Sequence, residues 1–319
     1  MKREVPYIEC HGSANRFYMV DAVACAEACT GADFAAWSKG LCRSTAGHAD
    51  GLLMVVRCGD GYAMRMFNPD GSEAEMCGNG IRCVARLVGE RYLAADGFSL
   101  WSGGRQYAIT REEPVAEGVV TYGADIGVSL RSRDFGFAGD GDFVGRTIPA
   151  LDSELRFTAL NPGNPHITAA VDHIDMQLLG RLGERVKLLT DEFPNGVNVS
   201  LFENRGAGRI FVATYERGAG ITASCGTAMT SSATAAALLG MVPFGATVEV
   251  CNMGGAVRCR PVRTGDGGIV TRLTGNATFE FEGRFTTDGS SIGEVTVDRR
   301  FGDETAAYDR FVGSIDKNN

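Results

Sequence analysis

The sequence predicts an α+β protein made of two half-chains of one fold, and three observations carry that prediction. Short β-rich segments such as GLLMVVRCG (51–59) and ATVEVCN (246–252) alternate with glycine-rich turns, and 43 glycines in 319 residues suit many tight turns between short strands. Helical patterning is confined to a few stretches, near 24–40, 77–94, 173–186 and 225–240. The chain also resembles itself at a nearly constant shift. HGSANRF (11–17) is answered by NPGNPHI (161–167), with Asn15 and Asn164 149 positions apart, and GHADGLLMVV from Gly47 lies 149 before GVNVSLF from Gly196. FNPDGSEAEMCGNG from Phe67 lies 148 before YERGAGITASCGTA from Tyr215, so Cys77 answers Cys225. Equivalent elements of two such halves, related by a pseudo-twofold axis, are expected to face each other across a cleft.

Length and composition set the limits. A chain of 319 residues with 44% hydrophobic and 22% charged residues is expected to form about two globular domains. The net charge of −8 disfavours nucleic acid and anionic membrane as partners, because both call for a basic stripe. With no apolar run long enough to span a bilayer and no secretory h-region, the cytoplasm is the expected compartment. The ten cysteines are then expected to be reduced, most of them as small buried hydrophobes, Cys83 included. Cys25 and Cys29 share a helix face, but nothing completes a zinc-type set, so no metal is expected.

Each Cys-Gly element reads as a turn leading into a helix, IRCVARLVGERYLAA after the first and MTSSATAAALLG after the second. The first N–H groups of a helix lack internal partners and carry partial positive charge. A thiol placed there should have a lowered pKa, and a ligand carboxylate could take the free N–H groups. Glycines 78, 80 and 226 allow close approach, having no Cβ. Two thiols about one carboxylate-binding point suit inversion of an amino-acid stereocentre: a thiolate removes the α-proton and a thiol on the other face returns one. Pyridoxal phosphate is the usual alternative, and it needs a Schiff-base lysine. The four lysines (2, 39, 187 and 317) sit beside no phosphate cradle, so a cofactor-free reaction is expected.

Six motifs, in order, resemble those of the diaminopimelate epimerase family: HGSANRF, ADGLL, NPDGSEAEMCGNGIRC, NPGNPH, FPNGVNV and YERGAGITASCGTA, spanning about residues 7–285. The resemblance implies an isomerase that interconverts LL- and meso-diaminopimelate, a precursor of lysine and peptidoglycan, without a cofactor. It implies two domains, each a curved mixed sheet around a central helix, at 1–126 and 127–274, with a strand near 275–285 returning to the first. Residues 286–319 extend past the family's usual end and read as a polar, acidic, solvated tail. Cys77 and Cys225 become the acid/base pair. Gly78, Asn79, Gly226 and Thr227 hold the reacting carboxylate, and Asn15, Asn68, Asn164, Asn198, Glu216 and Arg217 hold the rest of the substrate. His11 and His166 are expected to orient site loops or to help titrate a thiol. The expected partner is the small amino-acid substrate, and a homodimer is allowed.

Three departures stand out. Ala14 replaces a usual glycine and Arg16 a usual aspartate in the first motif, and Ala228 stands where glycine is usual after the second Cys-Gly. A cofactor-free racemase of another amino acid, such as histidine, is the alternative enzyme. A non-catalytic amino-acid-binding or thiol-redox protein on the same fold is the alternative from another class.

Overall fold

The computed structural model describes residues 2–44, 49–130, 135–137 and 141–315. Gly47, where one repeat landmark begins, lies outside them. The chain divides into two compact units, Met1–Ala124 with Gly275–Ser314, and Asp125–Thr274.

In the first unit the strands are β1 (Arg3–Gly12), β2 (Asn15–Asp21), β3 (Leu52–Cys58), β4 (Gly61–Phe67), β5 (Glu73–Ala74), β6 (Gly97–Ser102), β7 (Arg105–Glu112) and β8 (Thr121–Val128). β2 runs parallel to β3, β3 antiparallel to β4, β4 parallel to β6, and β6–β7–β8 form an antiparallel meander. The second unit repeats this sequence of pairings. Its strands are β9 (Phe157–Leu160), β10 (His166–Val171), β11 (Asn198–Gly206), β12 (Arg209–Glu216), β13 (Gly220–Thr222), β14 (Val248–Asn252), β15 (Gly255–Arg263) and β16 (Ile269–Asn276). β10 is parallel to β11, β11 antiparallel to β12, β12 parallel to β14, and β14–β15–β16 is again a meander. The fold class is therefore α+β, two units of one topology.

Each unit holds a buried helix, and the second unit's is one that sequence amphipathicity alone would not place. The second unit's α-helix at Gly226–Leu238, GTAMTSSATAAAL, has every residue from Gly226 to Ala237 buried and packs against β10, β11, β12, β14 and β15. A helix enclosed on all sides needs no polar face, and small residues let strands approach it. Several of its hydroxyls are satisfied locally or across the core: Thr230 donates to the Gly226 carbonyl at 2.9 Å, and Thr234 lies 2.7 Å from Thr271 Oγ1, whereas Ser231 Oγ has no hydrogen-bond partner. The first unit's counterpart, Gly80–Val88, is equally buried and packs against β1 to β4, although it carries two arginines.

In chain order the helices are α1 (Ala26–Cys29), α2 (Phe34–Cys42), α3 (Gly80–Val88), α4 (Met176–Val186), α5 (Gly226–Leu238) and α6 (Gly302–Ser314). Three expectations need correction. The helix read over 24–40 is two helices, broken where Gly31 takes φ +67° and Asp33 caps α2 by accepting the Ala36 N–H at 3.0 Å. The helix read from 77 begins at Gly80 and ends in a wider π-type turn over Gly89–Leu93. The stretch 286–315, expected as a solvated tail, is largely exposed but takes regular structure; residues 316–319 lie outside the described residues. After β17 (Thr278–Thr287), which pairs antiparallel with β1, the chain forms β18 (Ile292–Arg300) on the other edge of β17 and then α6. Ala307 and Tyr308 of α6 are buried with Val119, and the Glu304 carboxylate takes the Arg86 guanidinium, with Nη2···Oε1 at 2.8 Å. An acidic segment can be structural when one of its carboxylates meets a buried cation.

Candidate active site

The first thiol lies where the β1–β2 hairpin meets the loop before α3. The hairpin turn holds Ser13 and Ala14 at φ +52° and +60°. Both central residues are therefore left-handed, which explains the family's glycine at position 14 and makes alanine there a strained choice. Bonds from elsewhere hold the turn: Ser13 N–H donates to Asn276 Oδ1 at 2.7 Å, and Ala14 N–H to His11 Nδ1 at 3.3 Å. With Asn276 Nδ2 also 3.2 Å from it, His11 Nδ1 is an acceptor. Burial, aided by Arg16 and Arg82, pushes the His11 pKa down to about 3. His11 is thus a neutral loop anchor, with the Tyr308 ring 4.4 Å away, and not a group that titrates with a thiol.

Cys77 sits three residues before α3 rather than at its cap, which is Asn79. Its thiol nevertheless reaches the helix start, for the Gly80 N–H donates to Cys77 Sγ at 3.3 Å. Asn15 Oδ1 stands 4.0 Å from the same sulfur as an acceptor for the thiol proton. The sulfur therefore has a donor suited to the thiolate and an acceptor suited to the thiol. A Cβ on Gly80 would come within 2.7 Å of Leu53 Cδ2, so glycine is what lets this turn close. Asn79 Nδ2 donates to Asn15 Oδ1 at 3.3 Å, and Gly78 offers its carbonyl to Arg82 Nη1 at 2.8 Å. Asn68 is not drawn into this network; its amide donates to Ser72 Oγ at 3.0 Å within its own turn.

Arg16 does not leave a stray charge beside Asn15. Its guanidinium grips Glu280 on β17 at 2.9 and 3.3 Å.

The second thiol, Cys225, is the extended N-cap of α5, so both thiols stand at a helix start although Cys77 is not its cap. Thr227 Oγ1 lies 3.4 Å from its sulfur, and the Ala228 N–H, again three residues on, and the Glu216 carboxylate both bear on its ionisation. Its acidity is the reverse of the expectation. Complete burial and the Glu216 charge push the Cys225 pKa well above the ordinary thiol value, and the Thr227 hydroxyl and the helix-start N–H of Ala228 only partly offset this. A helix start contributes about one partial charge's worth of stabilisation, which desolvation of a thiolate exceeds. Cys225 rests as the thiol.

Around it the other expected residues of this half converge. His166 Nε2 lies 3.0 Å from both Asn164 Oδ1 and Thr227 Oγ1, and 3.3 Å from Asn198 Nδ2. Asn198 Oδ1 accepts the Arg217 N–H at 2.9 Å. Burial, then the Arg217 charge, pushes the His166 pKa down to about 3, so it too is neutral. The Arg217 side chain lies across Gly196, where a Cβ would come 2.6 Å from its Cδ, and donates to the Asn195 carbonyl. Its side chain is exposed, and Glu216 accepts from Thr222 Oγ1.

Sequence reasoning missed Asp50, Arg82 and Asn276. Arg82 lies in the motif around Cys77 and Asp50 in ADGLL, so both had a legible signal; Asn276 had none.

Outside these half-sites, Cys25 Sγ and Cys29 Sγ lie 3.6 Å apart, and no group of three or more His, Cys, Asp or Glu able to hold a metal occurs among the described residues. Among those residues no helix is long and apolar enough to cross a membrane.

Comparison of sequences gives one family. The diaminopimelate epimerase family model matches residues 7–123 and 158–280. The chain is 36% identical to the diaminopimelate epimerase of Clostridium acetobutylicum over 99% of this chain and 96% of that one. It is 34% identical to that of Lactiplantibacillus plantarum over 98% and 99%. Among solved structures, a PhzF-family phenazine biosynthesis protein of Bacillus anthracis superposes with TM-score 0.64 at 14% identity, covering 88% of this chain and 99% of that one. A hydroxyproline epimerase from Agrobacterium vitis, with bound trans-4-hydroxy-L-proline, gives 0.63 at 13%, covering 98% and 99%. Those two likenesses bear on the fold alone.

Proposed function

The chain belongs to the diaminopimelate epimerase family, and on that premise we propose that it epimerises LL-diaminopimelate to the meso form by two-base thiol chemistry. The observation that carries the reading is the matched setting of the two sulfurs. Cys77 has the Gly80 N–H on one side and the Asn15 amide oxygen on the other; Cys225, at the start of its own helix, has the Thr227 hydroxyl at 3.4 Å, which can donate to a thiolate or accept from a thiol. A group that acts as base and then as acid needs partners for both of its protonation states. The thiolate abstracts the α-proton, the other thiol delivers a proton to the opposite face, and each sulfur ends in the state the other began in. Because Cys225 rests protonated, it is the donor in the direction that begins from the resting enzyme, and Cys77 the base. Backbone N–H groups about Gly78, Asn79, Gly226 and Thr227 take the charge that spreads onto the carboxylate. No cofactor is needed to hold that charge. Asn164, Asn198, Glu216 and the exposed Arg217 guanidinium are the groups assigned to the substrate's remaining ends.

The alternative substrate rested on the altered first motif, Ala14 and Arg16, and on Ala228; the pairing of Arg16 with Glu280 offsets the charge that Arg16 brings there. The test is solvent isotope exchange. In deuterium oxide, diaminopimelate should acquire deuterium at the inverted α-carbon, and Cys77→Ala and Cys225→Ala should each reduce turnover by at least about a thousandfold. Near-normal turnover in either variant removes that cysteine from the mechanism; no exchange at all would favour a binding protein.

A further inference from the structure

We propose that Asp50 and Arg82 are positioning residues that dictate which end of the Asn15 amide faces Cys77; this rests on the acid/base role of Cys77 given above. Four side chains form a directional run. Arg82 Nη2 donates to Asn79 Oδ1 at 3.1 Å, Asn79 Nδ2 to Asn15 Oδ1 at 3.3 Å, and Asn15 Nδ2 to Asp50 Oδ2 at 2.7 Å. A primary amide is ambivalent, since rotating it by half a turn exchanges donor for acceptor. The two ends of this run are not: a guanidinium has only donors and a carboxylate only acceptors. Pinned between them, both amides have one orientation that makes every bond, and turning either sets N–H against N–H or oxygen against oxygen.

Both ends are themselves anchored. Arg82 is fully buried, with Nη1 on the Gly78 carbonyl at 2.8 Å, Nε on the Asn276 carbonyl at 3.1 Å and Nη2 3.3 Å from Ser13 Oγ. A Cβ on Gly12 would stand 2.7 Å from Arg82 Nη2, so the hairpin admits the guanidinium only because residue 12 is glycine. Asp50 is exposed but held by backbone: the Arg16 N–H donates to Oδ2 at 2.9 Å, and the Asp50 N–H to the Arg16 carbonyl at 2.7 Å. The product of the run is an oxygen, not an NH2 group, 4.0 Å from Cys77 Sγ. An acceptor there favours the thiol and offsets the Gly80 N–H, which favours the thiolate. With the amide reversed, two donors would face the sulfur, and Cys77 would be a more acidic thiol and a weaker base.

The test uses the full chain and Asp50, whose exposure makes replacement cheap for the fold. Asp50→Asn keeps the shape but supplies a group able to donate, and Asp50→Ser shortens it. The pH dependence of Cys77 alkylation by iodoacetamide, followed by peptide mapping, should show its midpoint falling by about one pH unit in both variants, with melting temperature unchanged. Turnover should fall about tenfold through kcat more than KM. An unchanged Cys77 midpoint in both variants overturns the proposal, as does lost activity that follows only a lowered melting temperature. Cys77→Ala run alongside separates the two claims, because normal turnover in that variant defeats the acid/base reading whatever Asp50 does.

Discussion

Replacing Glu9 by glutamine should stabilise this protein, and only on the alkaline side. Glu9 lies on β1 between Tyr18 of β2 and Phe281 of β17, with 3% of its surface exposed, and its Oε2 makes no hydrogen bond. Burial, followed by the nearby Glu280 carboxylate, pushes its pKa up to about 7, against the opposing pull of Arg16 and Arg300. The folded state thus holds the Glu9 proton more tightly than the unfolded chain does. The resulting stability is fully present below the ordinary value of 4.5 and is lost as pH rises through about 7. The gap, 7 − 4.5 = 2.5, corresponds at 1.36 kcal/mol per unit to about 3 kcal/mol, an upper bound because neighbouring groups relax. Glutamine has no ionisation to suppress. At pH 8 the variant should be more stable by up to about 3 kcal/mol, or roughly 5–10 °C in the melting temperature of a unit this size, and at pH 5 the two proteins should nearly coincide. Thermal unfolding of both proteins at the two pH values measures this. A difference of the same size at pH 5 and pH 8 would refute the reasoning, since a packing effect does not titrate.

Arg217→Met should lower kcat/KM for diaminopimelate by about a hundredfold or more, and lysine, which lacks the distal carboxylate, should be a correspondingly poor substrate of the unaltered enzyme. Comparable kcat/KM for lysine and diaminopimelate would defeat the substrate assignment and leave the two-thiol chemistry standing. Glu304→Ala should lower the melting temperature by several degrees, because Arg86, 7% exposed and also bonded to the Ala277 carbonyl, loses its two-point partner; about 2 kcal/mol is the expected cost. A melting temperature within one degree of the unaltered protein would show that α6 is not held by this pair.

Much of this protein is readable along the chain, because the information is carried by neighbours in sequence. Alternation and glycine-rich turns indicate the strands, and the 148- to 149-residue shift indicates the duplicated topology, since a strand order repeated in space leaves its landmarks repeated in sequence. The two Cys-Gly elements stand out for the same reason: thiol, glycine and helix start are contiguous. What the chain conceals are the properties set by groups far apart in it. The thiol of Cys225 reads as acidic from its helix start, and only its enclosure beside Glu216 pushes its pKa up instead. Arg16 reads as a charge beside Asn15 until β17, some 264 positions later, supplies Glu280. The segment after 286 reads as a solvated tail because its charges are counted, and it is structural because one of them, Glu304, reaches Arg86 218 positions away. Local composition determines which backbone shapes are cheap. Which charges are desolvated, and which way an amide such as Asn15 must point, depends on partners that only the folded chain brings within a few ångströms.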